Sequence, residues 1–151
     1  MKTWSFIGHR NCPREIKEVL ANSVEDLIVN KDVHRFFVGT QGGFDKLVYD
    51  VLCELEEKYD IQTFVVLAYL NRTESNDDYD LSKSIFPDEL TKTPPRFAIR
   101  KRNSFMIDTS DYIITYLNIP YSNTYRNIEE AKRKKKSIIN LGNFDISNML
   151  L

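Results

Sequence analysis

The sequence predicts an α/β fold in which a parallel sheet carries helices on both faces. Three observations lead there. Short apolar runs alternate along the chain with longer stretches of helical spacing. One run, Thr63–Leu70 (TFVVLAYL), is apolar almost throughout, as a parallel strand covered on both sides must be. The length of 151 residues, with 42% apolar and 28% charged, suits one soluble domain with one sizeable core.

The elements follow in order. Lys2 to Gly8 reads as a strand, with Trp4, Phe6 and Ile7 giving it apolar and aromatic character. Pro13 suits the first turn of a helix, where its missing N–H has no partner to lose. Ile16, Val19, Leu20, Val24, Leu27 and Ile28 then form one helical stripe. Arg35 to Gly39 (RFFVG) is a second strand, ended by the glycine-containing turn TQGG. Phe44, Leu47, Val48, Val51, Leu52 and Leu55 give the cleanest helical spacing in the chain, and TFVVLAYL is the third strand.

Asn71 to Pro95 is polar, acidic and closed by Pro94-Pro95, and is too long for an ordinary connection. We expect a loop insertion at about 71–95, acting as a lid, a partner site or a disordered segment. RFAIRKRNSFMIDT resumes helical spacing, YIITYL is a fourth strand, NTYRNIEEAKRKKK a helix and SIINL a fifth strand. The cations from Lys132 to Lys136 fall in that helix's last turns, where solvent and the helix dipole suit them.

Strands alternating with helices imply right-handed crossovers, and the expected result is one Rossmann-like domain over 1–151. Its five-stranded parallel sheet takes the order 3-2-1-4-5. That order leaves the apolar third strand at an edge. The long loop or a second subunit should cover it, so a homodimer is compatible with the sequence.

Composition narrows the partners. A formal net charge of −1 exerts no long-range pull, so nucleic acid is not expected as a partner. No apolar run approaches the roughly 20 residues that span a bilayer, and no signal peptide is visible, so the expected location is cytoplasmic. Cys12 and Cys53 are too few for a disulfide scaffold or a zinc cluster. Neither a metal nor a cofactor is expected.

In an open sheet of this order, ligands lie beyond the carboxyl ends of the strands, where the order reverses. The reversal falls between strands 1 and 4. Gly8, His9 and Arg10 leave the first, and 118–124 leave the second. Gly42 and Gly43, after strand 2, come next in reach. Glycines let backbone N–H groups approach a ligand, and Arg10 offers a fork for phosphate or carboxylate. Ser122, Asn123 and Thr124 open a helix whose free amides favour an anion, though the hydroxyls could simply cap it. Asp45 should not face a phosphate; it suits ribose hydroxyls or the orientation of Arg10 or Arg102. His9 fits local packing better than acid–base work, because spacing fixes no partner for it. Arg102 shares a helical face with Ala98, Phe105, Met106 and Thr109, so its charge needs a partner. Asp108, Asp111 and a ligand anion are the alternatives.

The segments FIGHR, FFVGTQGGFDKLVYDVLCEL, FVVLAYL, PPRFAIRKRNSFMIDTSDYIITYL and EEAKRKKKSIINL together resemble the SLOG superfamily. They are most similar to its small YpsA-type bacterial members, and the resemblance covers nearly the whole chain. It implies a Rossmann-like fold shared with the LOG phosphoribohydrolases and the DprA DNA-processing proteins. Some members sense or process nucleotides and ADP-ribose-type ligands. Gly8, His9 and Arg10 match the first loop of the family, and Gly42, Gly43 and Asp45 the second. Arg102, Asn103 and Asp111 match the segment around the fourth strand, and Ser122 to Thr124 the phosphate-binding turn. The LOG enzymes carry Pro-Gly-Gly-x-Gly-Thr-x-x-Glu where this chain reads PYSNTYRNIEE. Glu129 and Glu130 are the nearest acids and the candidate catalytic residues.

The expected function is binding of a nucleotide or nucleotide-derived, ADP-ribose-like ligand at the reversal of the sheet. The alternatives are an N-glycosidic enzyme, either a nucleoside-monophosphate phosphoribohydrolase or a deoxyribosyltransferase-like protein, and an interaction module whose site is vestigial.

Overall fold

A computed structural model describes residues 2–70 and 79–149. Its strands are β1 (Thr3–Gly8), β2 (Arg35–Val38), β3 (Gln62–Val66), β4 (Ser84–Ile85), β5 (Tyr112–Tyr116) and β6 (Ser137–Asn140). The helices are α1 (Lys17–Lys31), α2 (Gly43–Glu56), α3 (Ala98–Thr109) and α4 (Asn123–Arg133). All six strands are parallel in one sheet of order β4-β3-β2-β1-β5-β6. The expected order of five is therefore present, with β5 and β6 as its fourth and fifth members.

The sixth strand corrects the expected count, and the inserted segment supplies it. Ser84 and Ile85 pair with Val65 and Val66, and the Leu67 N–H donates to the Ile85 carbonyl at 2.9 Å. Two residues suffice to cover the apolar end of β3, which otherwise presents unpaired backbone. Within the expected loop, 79–95 also holds short 3-10 turns at Leu81–Lys83 and Asp88–Leu90. The rest of that loop, 71–78, lies outside the described residues.

Period-two alternation sorts the apolar strands into two cores. Phe6, Phe36, Val65 and Ile114 point to one side, where α1 and α2 pack with Leu20, Val24, Phe44, Val48 and Leu52. Ile7, Phe37, Val66 and Ile113 point to the other, under Met106 and Ile107 of α3 and Ile128 of α4. A strand buried on both faces has no solvent-facing side, which is why these runs lack a strict apolar–polar alternation in sequence. Pro13 stands just before a 3-10 turn at Arg14–Ile16 that leads into α1, one step outside its expected place in the helix. No helix among the described residues is long and apolar enough to cross a membrane.

Candidate functional site

Carboxyl ends of β1, β2 and β5 open onto a cleft of about 350 Å³, closed by the first turn of α4 and one face of α3. Gly8, His9 and Arg10 line it from β1, and Ser122, Asn123 and Thr124 from α4. Asp45 of α2 and Arg102 and Asn103 of α3 form other parts of the wall. Nine residues singled out from sequence thus meet around one space, at the reversal of strand order.

His9 is a latch between two loops. Its Nε2 accepts the Asn118 N–H at 2.9 Å and the Ile119 N–H at 3.3 Å, so the proton of the neutral ring sits on Nδ1. Burial pushes its pKa down, in keeping with two donors aimed at one nitrogen. The ring also meets Tyr116 edge-on at 6.0 Å. His9 therefore ties the end of β1 to the exit of β5 and shapes the cleft from both sides.

Gly42 and Gly43 stand behind the lining. The Gly43 N–H donates to the Arg10 carbonyl at 2.7 Å, and the Phe44 N–H to that of His9 at 3.4 Å. The first amides of α2 thus hold the Gly8–Arg10 loop. Gly42 has φ +99°, and a Cβ there would lie 2.7 Å from the Arg10 Cα, so both conformation and space demand glycine. This close approach is what sets Arg10 at the rim, where its side chain is exposed. Among the described residues no carboxylate forms an ion pair with it.

Asp45 and Arg102 are buried together at the base. The Arg102 Nη1 donates to the Val66 carbonyl at 3.0 Å and its Nε to the Asn103 Oδ1 at 2.9 Å. Asp45 accepts the Gln41 N–H at 2.8 Å. Gly39 separates the two charges: a Cβ there would lie 2.5 Å from the Arg102 Nη1 and 2.9 Å from the Asp45 Oδ2. Burial drives the Asp45 carboxyl up to about 6, against the opposing pull of Arg102 and the Gln41 amide. Burial likewise pushes Arg102 down, opposed by Asp45. The Arg102 charge is therefore answered by Asp45 across Gly39. Asp108 instead pairs with Lys134, and Asp111 accepts the Thr3 N–H at 3.1 Å, at the opposite end of the sheet.

Ser122 caps α4: its Oγ accepts the Tyr125 N–H at 3.1 Å and donates to the Ile119 carbonyl at 2.7 Å. The capping alternative describes its hydroxyl. Asn123 and Thr124, the first two helical residues, lie on the cleft with N–H groups that no helical carbonyl can reach. Glu129 and Glu130 do not line the cleft. Glu130 accepts Ser104 Oγ at 3.0 Å and pairs with Lys134 at 2.7 Å, on the outer seam of α3 and α4. Asp45 is the carboxylate on the cleft among the described residues. No group of three His, Cys, Asp or Glu among them is placed to hold a metal ion.

Several lining residues escaped the reading of the sequence. Gly39 and Gln41 follow β2, and their signal was the same turn that drew attention to Gly42. Ile99 precedes Arg102 by three residues and Asn127 follows Asn123 by four, so helical spacing from known members would have found both.

The geometry agrees with the match of residues 9–145 to the family model described as the YpsA, or YspA, SLOG family. The chain belongs to the YpsA family of SLOG proteins. No curated protein matches it. Two solved structures share the fold of this YpsA-family chain. DNA processing protein A (DprA) from Streptococcus pneumoniae is 14% identical with a TM-score of 0.67, over 92% of this chain and 50% of that one. DprA from Helicobacter pylori, described by its single-stranded DNA binding mode, is 16% identical with a TM-score of 0.66, over 92% and 64%. The chain thus spans half to two thirds of these proteins' lengths. The H. pylori protein overturns the expectation that nucleic acid is not a partner. A net charge near zero does not decide the matter, because binding depends on where cations gather and not on their sum.

Proposed function

We propose that the YpsA-family cleft binds a nucleotide or nucleotide-derived ligand. The observation that carries this reading is an exposed Arg10 without an ion-pair partner among the described residues, on the same cleft as the leading amides of α4. A guanidinium fork and free helix amides are both donors that suit phosphate. Asp45 at the base accepts hydrogen bonds from sugar hydroxyls, and the Arg102 charge beside it limits the cost of burying that carboxylate. Calorimetry with AMP and ADP-ribose tests the reading. Wild type should bind one of them more tightly than millimolar. Arg10→Ala should weaken that binding about tenfold or more, the worth of a hydrogen bond to a charged group. Absence of binding to both ligands overturns it.

A second reading, N-glycosidic hydrolysis, is favoured by one observation: the perturbed carboxyl of Asp45 on the cleft, at about 6. Such a reaction needs a carboxylate at the sugar's anomeric carbon. Asp45 takes that role here in place of Glu129 or Glu130. Release of free base from a nucleotide panel should then persist in Glu130→Gln and vanish in Asp45→Asn. A panel without release retires this reading and leaves binding intact.

A further inference from the structure

A second groove of about 380 Å³ runs between the starts of α3 and α4 and abuts the cleft. Ile99, Asn103, Asn123 and Asn127 line both spaces, so a bound chain can pass from one to the other along a shared wall. Three exposed arginines, Arg96, Arg100 and Arg126, line the groove, and no acidic residue does. Among the described residues none of the three forms an ion pair. Gathering like charges in one concavity of a chain of net charge −1 is unfavourable unless an anion fills it. Phe97 adds an apolar face, 47% exposed, with the Arg96 guanidinium 4.8 Å from its ring centre. Its mount is fixed: Pro94 and Pro95 lead into the turn, the Phe97 N–H donates to the Pro94 carbonyl at 2.9 Å, and the Tyr69 hydroxyl holds the Pro95 carbonyl at 3.0 Å.

We propose that this arginine groove extends the nucleotide cleft and binds the next phosphate and base of a single-stranded oligonucleotide whose end occupies the cleft. The inference rests on the cleft reading above and names its ligand class. Arginines beside an exposed aromatic ring are the elements that bind single strands without reading sequence: cations follow the backbone while a base stacks on the ring. A cleft of about 350 Å³ sits at the low end of small-ligand sites, which suits one nucleotide and leaves the second for the groove. A lone phosphate would leave Phe97 without a function.

The test compares AMP, ADP-ribose and 5′-phosphorylated tetraadenylate, an RNA strand whose riboses keep the 2′-hydroxyl that AMP offers to Asp45, with binding to the full chain measured by calorimetry at several salt concentrations. Wild type should bind the tetranucleotide at least tenfold more tightly than AMP. The double variant Arg100→Gln/Arg126→Gln should remove that gain while leaving AMP binding within twofold. Its salt dependence should be shallower by about 0.7 in log K per log salt for each phosphate that is no longer neutralised. Phe97→Leu should reduce the gain, and Arg10→Ala should weaken both ligands. Equal affinity for AMP and tetranucleotide, or a gain that survives the double variant, overturns the inference while the cleft reading stands. A groove-dependent gain seen with ADP-ribose and not with the strand overturns the strand in favour of a small pyrophosphate. Failure of AMP, ADP-ribose and tetranucleotide alike overturns both readings.

Discussion

Asp45 is the residue at which burial and charge compete most openly. Its carboxyl is held at about 6 against an ordinary 3.8, so the folded chain keeps a proton that the unfolded chain has released between those values. Stability from this group is thus present below pH 3.8 and is lost as pH rises to about 6. The full swing is about 3 kcal/mol, at 1.36 kcal/mol per pH unit. Asp45→Asn lacks the titration. Its stability relative to wild type should therefore rise by up to about 3 kcal/mol between pH 3.8 and 7, measured by urea unfolding. An unchanged difference across that range would show that the carboxyl is not perturbed. His9 acts in the other direction: its contribution is full above 6.5 and falls as acid protonates Nε2, the atom that holds two amides. Comparing the variant with wild type cancels that background. Asp45 was legible as a candidate because it opens a helix after a glycine turn. Pairing with Arg102 was one of three roles its position allowed, beside Arg10 and ribose hydroxyls. The choice was not legible, since Arg102 is remote in sequence and the local acids Asp108 and Asp111 were nearer alternatives for that arginine.

Among the elements, β4 shows how a small piece of chain settles an edge. Two residues pair with β3, and their absence would leave an apolar parallel strand open to other chains. Ile85→Pro removes an N–H and restrains φ at that position, which should free part of the β3 edge. We expect self-association of the variant at concentrations where wild type shows none, read by light scattering on a sizing column. Indifference of the oligomeric state would mean that side-chain packing and not pairing covers β3. Sequence alone anticipated that something must cover this edge, because TFVVLAYL has no polar face. It did not anticipate a strand as the cover, since two residues carry no periodicity. The same reasoning applies to α2. Its apolar stripe was plain, whereas the use of its leading amides to hold His9 and Arg10 depends on a neighbouring loop that is distant along the chain.

For the whole molecule, the two cores meet across a single sheet, and the cleft lies where their helices separate at the end of β1 and β5. A ligand there touches elements from both sides and therefore stabilises the fold as a unit. AMP at about 100 times its dissociation constant should add about 2.7 kcal/mol. That corresponds to a rise of about 5–10 °C in Tm for a chain of this size, followed by calorimetry. Arg10→Ala at the same AMP concentration should show a smaller rise. An equal rise in wild type and variant would place the ligand elsewhere. Net charge belongs to this scale too, and it misled: −1 summed over the chain conceals three arginines that face one groove without an acid among its lining.

Sequence by itself determined the alternation of strands and helices, the parallel sheet with both faces covered, and the loops that converge at the reversal of strand order. These follow from local periodicity and from turn residues, which report on neighbours in the chain. Tertiary structure alone decided that Asp45 answers Arg102 across Gly39 and that His9 latches β1 to β5. It also turned Glu130 away from the cleft and gathered Arg96, Arg100 and Arg126 beside it. Each of these depends on distances between elements far apart in sequence, and hydrogen bonds and Coulomb interactions act over those distances and not over residue spacing.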